Sequence, residues 1–330
     1  MSENNFFNKF IDKLQKDKSL SEFDKTIVLK NLNSLKETKV NILITGATGS
    51  GKSSTINALF DFEKAKVGTG VDPETMEIAK FELDNIILFD SPGLGDGRES
   101  DRKHAKNIIN KLNEKDKNND LLIDLVLVVL DGSSRDLGTS FELINSVIIP
   151  NLGDDKSRLL IAINQADMAM KGKNWNYQEN RPETKLIEFL DEKVLSTRRR
   201  IKEATGVDVT PIYYSAGYKE DNEEQRPYNL SKLLAFILRK TKEEKRVVFV
   251  NDINKKEKMW EKDDKLENYQ KEIEESFFGS LVKSVSKGAS SGSDIGGSLG
   301  GIFGKSGEAF GRAVGGVVGG FVGFLGGLFS

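Results

Sequence analysis

The chain has 330 residues, no cysteine, one histidine and a formal net charge of −2. These counts exclude disulfides, thiolate catalysis, metal sites built from cysteine or clustered histidine, and a global basic field for bulk nucleic-acid binding. With 37% hydrophobic and 30% charged residues it reads as globular, and the start MSENNFFNKFIDKLQKDK lacks the apolar run of a secretory signal, so a cytoplasmic location is expected.

Residues 1–38 read as a helical N-terminal extension. Phe6, Phe7, Phe10, Ile11 and Leu14 recur at helical spacing, then Phe23, Ile27, Leu32 and Leu35, with Ser19 and Ser21 near the break. The pair is expected to pack on the main domain; a partner- or membrane-surface helix is the alternative. Residues 39–241 alternate strand and helix patterns. Strands are predicted at Val40–Thr45, Ala79–Leu83, Ile86–Phe89, Leu125–Leu130, Leu159–Ile163 and Val209–Tyr214. Helices are predicted at Lys52–Phe60, His104–Asn113, Gly138–Ile149, Glu183–Ala204 and Leu230–Lys240. Several strand runs are apolar throughout, as when helices cover both sheet faces, so the class is α/β with three layers and a mainly parallel sheet. Residues 242–279 read as a charged helical linker. From 280 to 330 the composition changes: 17 of the 31 glycines lie between Gly279 and Gly327.

The first strand runs into Gly46-Ala47-Thr48-Gly49-Ser50-Gly51-Lys52-Ser53, which is G-x-x-x-x-G-K-S with a strand before and a helix after. Glycines let the backbone curl so that several N–H groups face one anion, and the helix N-terminus adds a favourable dipole. Gly46, Thr48, Gly49, Ser50, Gly51, Lys52, Ser53 and the next residue, Ser54, form the candidate phosphate site. Lys52 reaches the β- and γ-phosphates, and the Ser53 hydroxyl is a Mg²⁺ ligand. The motif fixes a nucleoside triphosphate and leaves the base open. The strand at 86–89 ends in Asp90-Ser91-Pro92-Gly93. Asp90 stands where a ligand to Mg²⁺-bound water belongs, and Gly93 offers a backbone N–H to the γ-phosphate. Leu94-Gly95-Asp96-Gly97-Arg98 after it is glycine-rich and expected to be mobile. In Gly68-Thr69-Gly70-Val71-Asp72-Pro73-Glu74-Thr75, a threonine can bind Mg²⁺ and sense the γ-phosphate; Thr75, after the rigid Pro73, is favoured over Thr69. The catalytic set is thus Lys52, Thr75 and Gly93, and the metal set Ser53, Thr75 and Asp90.

After the strand at 159–163 comes Asn164-Gln165-Ala166-Asp167. An ionised carboxylate only accepts, so Asp167 suits the paired ring N–H and amine of guanine, a pair adenine lacks on that edge. Asn164 can tie this loop to the phosphate loop, and a backbone N–H at Ser215-Ala216 can meet the guanine carbonyl. The substrate and product are therefore expected to be GTP and GDP, with Mg²⁺.

The set GATGSGKS, PET, DSPG, NQAD and SA resembles the motifs of translation-factor-like GTPases, closest to the Era-like group and its bacterial ribosome-binding relatives. The resemblance covers residues 38–241 and implies the P-loop GTPase fold, with a six-stranded, mostly parallel sheet and one antiparallel edge pair. Two positions depart from it. Gln165 stands where the family carries a lysine over guanine, which implies weaker nucleotide binding. Leu94 stands where Ras-like GTPases carry the glutamine that orients the attacking water. Slow intrinsic hydrolysis, stimulated by a partner or a nucleotide-dependent homodimer, is expected, with Arg98 and Arg135 as candidates for charge stabilisation that read more simply as surface arginines. His104 reads as a surface residue, Trp175 and Tyr177 as packing groups beside the base loop, and Arg198-Arg199-Arg200 as a solvated helix face.

In the tail, glycines recur at 292, 296, 300 and 304 and again at 307, 311, 315, 319, 323 and 327, and Ala313–Phe329 carries no charge. Glycine at every fourth position gives a smooth helical face for close packing in lipid, and this uncharged run spans roughly 26 Å as a helix against a hydrocarbon core of about 30 Å. The tail is read as a membrane or self-association segment, peripheral to or anchored in the inner membrane, with a disordered tail as the alternative. Three functions follow: a GTP-hydrolysing switch coupled to membrane association or assembly, a GTP-dependent ribosome or RNA assembly factor, and a membrane-acting defence or toxin-like effector.

Overall fold

In the computed structural model, the described residues are 6–16, 22–60, 66–67, 78–93, 95, 97–220 and 223–288. At its centre, the apolar run Val40–Gly46 (β1) pairs in parallel with Ile86–Asp90 (β4) on one side and Leu125–Asp131 (β5) on the other. Leu159–Asn164 (β6) and Ile212–Tyr213 (β9) extend the parallel array, while Ala79–Glu82 (β3) and the two-residue Lys66–Val67 (β2) add an antiparallel edge. The order is β2-β3-β4-β1-β5-β6-β9: the six expected strands plus a short edge strand. Strand β9 is shorter than the predicted Val209–Tyr214. Pro211 has no N–H to give the ladder, which starts one residue later.

Side chains alternate across the sheet as the period of two demands. Ile42, Ile44, Leu125, Leu127 and Val129 face one core, and Leu43, Val126, Val128 and Leu130 the other. The second core is covered by Arg98–Asn113 (α4), Gly138–Glu142 (α5), a π-helical turn at Leu143–Ile148 and Thr184–Thr205 (α6). Gly206, in the left-handed region at φ 75°, ends α6. Between β6 and α6, Trp175–Asn176 (β7) pairs with Arg181–Pro182 (β8).

The first core is covered by Lys52–Leu59 (α3), Leu230–Lys240 (α7) and both ends of the described chain. Phe6–Lys16 (α1) and Glu22–Glu37 (α2) lie with Tyr269–Val285 (α8); Asn31 Nδ2 donates to Val285 O at 2.8 Å. The stretch expected to be a solvated linker differs from that expectation. A 3-10 helix at Glu243–Asn251 buries Val247, Val248, Phe249 and Val250, and Trp260 is fully buried with Nε1 donating to Asn254 O. Ile253 bridges Phe60, and the Asp252 carboxylate accepts the N–H groups of Asp84, Asn85 and Ile86 at 3.0, 2.6 and 2.7 Å. Asn251 Oδ1 also accepts from Phe6 N. The reason is local: Arg246 to Val250 holds four consecutive apolar residues inside a charged stretch, and burying them outweighs the solvation of their neighbours. Among the described residues no helix is long and apolar enough to cross a membrane; the predicted glycine-rich segment lies outside them from residue 289 onward.

Candidate nucleotide-binding site

The C-terminal ends of β1, β4, β6 and β9 bring the described members of the sequence-predicted set to one edge of the sheet. The β1–α3 loop needs its glycines. Gly46, Gly49 and Gly51 have φ of 150°, 80° and 85°, and a Cβ on Gly51 would lie 2.2 Å from Asn164 Nδ2. The Lys52 ammonium donates back to Gly46 O at 3.3 Å and Ala47 O at 3.2 Å, so it spans the mouth of the loop. Ser50 is buried with its hydroxyl unpartnered among the described residues, while Ser53 and Ser54 are exposed at the start of α3.

Asp90 ends β4 beside this loop. Burial pushes its carboxyl up to about 6, against the opposing pull of the Lys52 ammonium, and its Oδ1 is buried with no hydrogen-bond partner among the described residues. An unsatisfied hard oxygen anion beside a phosphate loop fits a divalent cation of the Mg²⁺ class, which takes one or two carboxylates and keeps several waters. Ser91 anchors the end of β4 to β1: its N–H donates to Ile44 O and its hydroxyl to Thr45 Oγ1. Gly93 comes so close to the phosphate loop that a Cβ would lie 2.3 Å from Thr48 Oγ1 and 2.5 Å from Thr48 N. Thr69, Thr75, Leu94 and Asp96 lie outside the described residues.

On the base side, Asn164 is a bridge. Its Nδ2 donates to Ser50 O at 3.0 Å and its Oδ1 accepts from Ala216 N at 2.9 Å. Gln165, left-handed at φ 58°, donates to Gly49 O at 2.7 Å, which lays its side chain along the phosphate loop. Asp167 is buried two residues on. Neither expected N–H at 215–216 is open: Ser215 N donates to Tyr228 O and Ala216 N to Asn164 Oδ1, so a guanine carbonyl there has to share the Ala216 donor. A cavity of about 430 Å³ adjoins, walled by Ser54, Ala58, Ala216, Gly217 and, from the C-terminal stretch, Lys256 and Lys258.

Sequence reasoning missed three features. Thr55 Oγ1 and the fully buried Tyr214 hydroxyl share a 2.6 Å hydrogen bond that ties α3 to the strand beside the base loop. The signal was a polar residue at a core position of the helix that follows the loop. His104, expected at the surface, is buried on α4 with Nδ1 3.2 Å from Gly93 O. Only its place on α4, 11 residues past Gly93, hinted at this. The third is a cavity of about 900 Å³ between the loop after β5, the loop after Asp167 and α6, lined by Arg135, Lys171, Lys173, Lys193 and Arg200 together with Glu192, Phe141 and Phe189. Arg135 lines that cavity, Arg98 opens α4 at the surface, and Arg198 pairs with Asp208 in a solvated bidentate bridge. Trp175 packs edge-on against Tyr228, and Tyr177 is exposed.

Parts of the chain are similar to known proteins. Residues 41–165 match a family model described as 50S ribosome-binding GTPase. A stretch of 70 residues is 37% identical to Interferon-inducible GTPase 1 of Mus musculus, covering 19% of this chain and 17% of that protein. Among solved structures, the bacterial dynamin GTPase LeoA from ETEC is 16% identical over 64% of this chain and 36% of its own, with a TM-score of 0.38. A dimerization-deficient mutant of Toc33 from Arabidopsis thaliana is 15% identical over 68% of this chain and 93% of its own, with a TM-score of 0.42. Residues 41–165 are thus similar to a GTPase domain, and within them the β1–α3 turn has the form of a phosphate-binding loop.

Proposed function

We propose that this chain binds GTP with Mg²⁺ and hydrolyses it to GDP and phosphate, as a switch coupled to membrane association or assembly through residues 280–330. The observation that carries the reading is the half-buried Asp90 carboxylate beside Lys52, whose buried Oδ1 has no hydrogen-bond partner among the described residues, at the end of a strand whose following Gly93 presses against Thr48. With a triphosphate bound, the Lys52 ammonium exchanges its contacts to Gly46 O and Ala47 O for phosphate oxygens. Ser53, Asp90 and, with the γ-phosphate present, Thr75 would hold Mg²⁺. The cation supplies charge neutralisation across the phosphates. Gly93 N–H meets the γ-phosphate, and Asp167 selects guanine through its acceptor-only carboxylate. Leu94 offers no hydrogen bond to a water, so unassisted turnover is slow and rises with a partner or a second copy of the chain.

The test is phosphate release by the full chain from GTP and from ATP, with and without Mg²⁺, over a range of protein concentrations. Mg²⁺-dependent turnover confined to GTP and rising with concentration supports the reading; equal turnover of ATP overturns the base assignment. Liposome co-sedimentation of the full chain and of residues 1–279 tests the tail, since only the full chain should pellet. A ribosome- or RNA-directed factor is a second reading. It is favoured by the five cations and two aromatic rings lining the larger cavity, and it predicts binding to RNA that survives deletion of 280–330.

A further inference from the structure

His104 is the chain's only histidine and is 2% exposed, on the second turn of α4. Its Nδ1 lies 3.2 Å from Gly93 O. A carbonyl oxygen only accepts, so Nδ1 donates in this contact, and the ring's other nitrogen is Nε2. That Nε2 is buried and has no partner among the described residues. A buried polar atom left unsatisfied is uncommon, and here it is tolerated by a ring whose other nitrogen is committed to Gly93. Gly93 is gripped from its other side as well, since a Cβ there would lie 2.5 Å from Thr48 N in the phosphate loop. The same helix holds the loop at a second point: Asp101 Oδ1 accepts from Gly95 N at 2.9 Å.

We propose that His104 is a positioning residue, which by donating from Nδ1 to Gly93 O holds Gly93 against the phosphate loop so that its N–H meets the γ-phosphate. This rests on the reading of Gly93 as the γ-phosphate contact. A nucleoside diphosphate does not reach Gly93, so His104 acts on triphosphate affinity and leaves diphosphate affinity alone. The bond also carries the nucleotide state into α4. When the γ-phosphate leaves, Gly93 loses its ligand, and the environment of the His104 ring changes with it.

A single histidine makes the experiment clean, because the imidazole nitrogens of the uniformly ¹⁵N-labelled full chain report one residue. Spectra are recorded with Mg²⁺ alone, with GDP and Mg²⁺, and with a non-hydrolysable GTP analogue and Mg²⁺. Affinities for both nucleotides are measured in parallel on the wild type, His104→Phe and His104→Asn. The proposal expects the Nδ1–H tautomer in the analogue complex and shifted ring signals in the GDP complex. His104→Phe should bind GDP within about twofold of wild type and the analogue about tenfold more weakly, and His104→Asn, which keeps an amide donor, should recover part of that loss. Ring signals identical in the two nucleotide complexes overturn it, as does equal weakening of both nucleotides in His104→Phe. If His104→Phe does not fold, the wild-type spectra decide alone. A wild type that binds neither guanine nucleotide overturns the GTPase reading itself, and this inference with it, which is a different result from binding without a response of the ring.

Discussion

Asp252 is the most direct probe of how the C-terminal stretch is joined to the sheet. Its carboxylate is 3% exposed; Oδ1 accepts from Asp84 N, and Oδ2 accepts from both Asn85 N and Ile86 N. Asp252→Ala strands three backbone donors at the β3–β4 turn, two of them in fully buried bonds. With an unmet buried donor costing about 1–3 kcal/mol, the loss should be about 4 kcal/mol. Asp252→Asn keeps one oxygen for two of the donors but turns an amino group toward Asp84 N, so it should cost about 1 kcal/mol at neutral pH. The charge adds a pH signature. Burial pushes the Asp252 carboxyl from 3.8 up to about 6, despite the three N–H groups that pull it down. A raised folded-state value means that the ionised form is penalised above about pH 6, and that this penalty disappears as the pH falls toward about 4. At about 1.4 kcal/mol per tenfold change in proton affinity, the wild type should gain up to about 3 kcal/mol relative to Asp252→Asn between about pH 7.5 and 4. Urea unfolding of the three proteins across that range measures it. A stability difference between wild type and Asp252→Asn that is flat with pH, or an alanine variant as stable as wild type, would refute the account of this clamp.

Three further outcomes are expected. Gly51→Ala places a Cβ 2.2 Å from Asn164 Nδ2 at a backbone φ of 85°, so fluorescence titration should show guanine nucleotide affinity falling at least about tenfold; unchanged affinity contradicts the described loop. Asp167→Ala removes the acceptor proposed to choose the base, so preference for GDP over ADP in competition binding should fall by about 10- to 100-fold, and a retained preference would move base selection elsewhere. The Asp90 carboxyl, held up to about 6 by burial, is ionised above that pH and protonated below it. Mg²⁺ stimulation of nucleotide binding should therefore fade as the pH drops from about 7 to about 5, while the Mg²⁺-free protein gains stability over the same interval. Asp90→Asn should abolish the Mg²⁺ trend and remove only the Asp90 share of the stability gain, leaving that of Asp252, and a Mg²⁺ effect that persists at about pH 5 argues against Asp90 as a metal-side group.

The parts of the fold legible in the sequence are those where one local rule decides. Val40–Gly46 is apolar on both faces and enters a glycine loop, so β1, its turn and α3 can be read together. Helix α7 has the predicted bounds because its apolar face is continuous from Leu230 to Leu238 and two basic residues close it. Where several elements compete, reading residues singly fails. His104 has charged neighbours along the chain, but the helical turn carries it onto the face of Ile108 and Leu112, inside the core. Charged composition suggests a linker at 242–279, yet Val247–Val250 and Trp260 are enough apolar surface to fix that stretch on the sheet, with Lys232 and Asp264 joined in a buried ion pair at 2.6 Å. Asn164 is legible as a bridge because its position after β6 fixes what it can reach. The engagement of Ala216 N is not, because it depends on how close two loops from distant strands come.

The strand β4 links the C-terminal clamp to the nucleotide site. At its first residue Ile86 N is held by Asp252, and at its last Asp90 stands beside Lys52, four residue steps or roughly 13 Å away. Between them the strand is paired on both sides, with β1 and β3, and Ser91 adds bonds to Ile44 O and Thr45 Oγ1 just beyond its end. A rod fixed at both ends does not slide when a phosphate comes or goes. Under the proposed function, motion driven by nucleotide should therefore begin past Ser91, at Pro92 and Gly93, where the chain leaves the ladder and its next tethers are the His104 ring and the Asp101 carboxylate on α4. Under the proposed function, α4 is then the first element to receive the nucleotide signal. At the opposite end of β4, Asn251 accepts from Phe6 N and donates to Asn85 Oδ1, so α1 is anchored away from that signal.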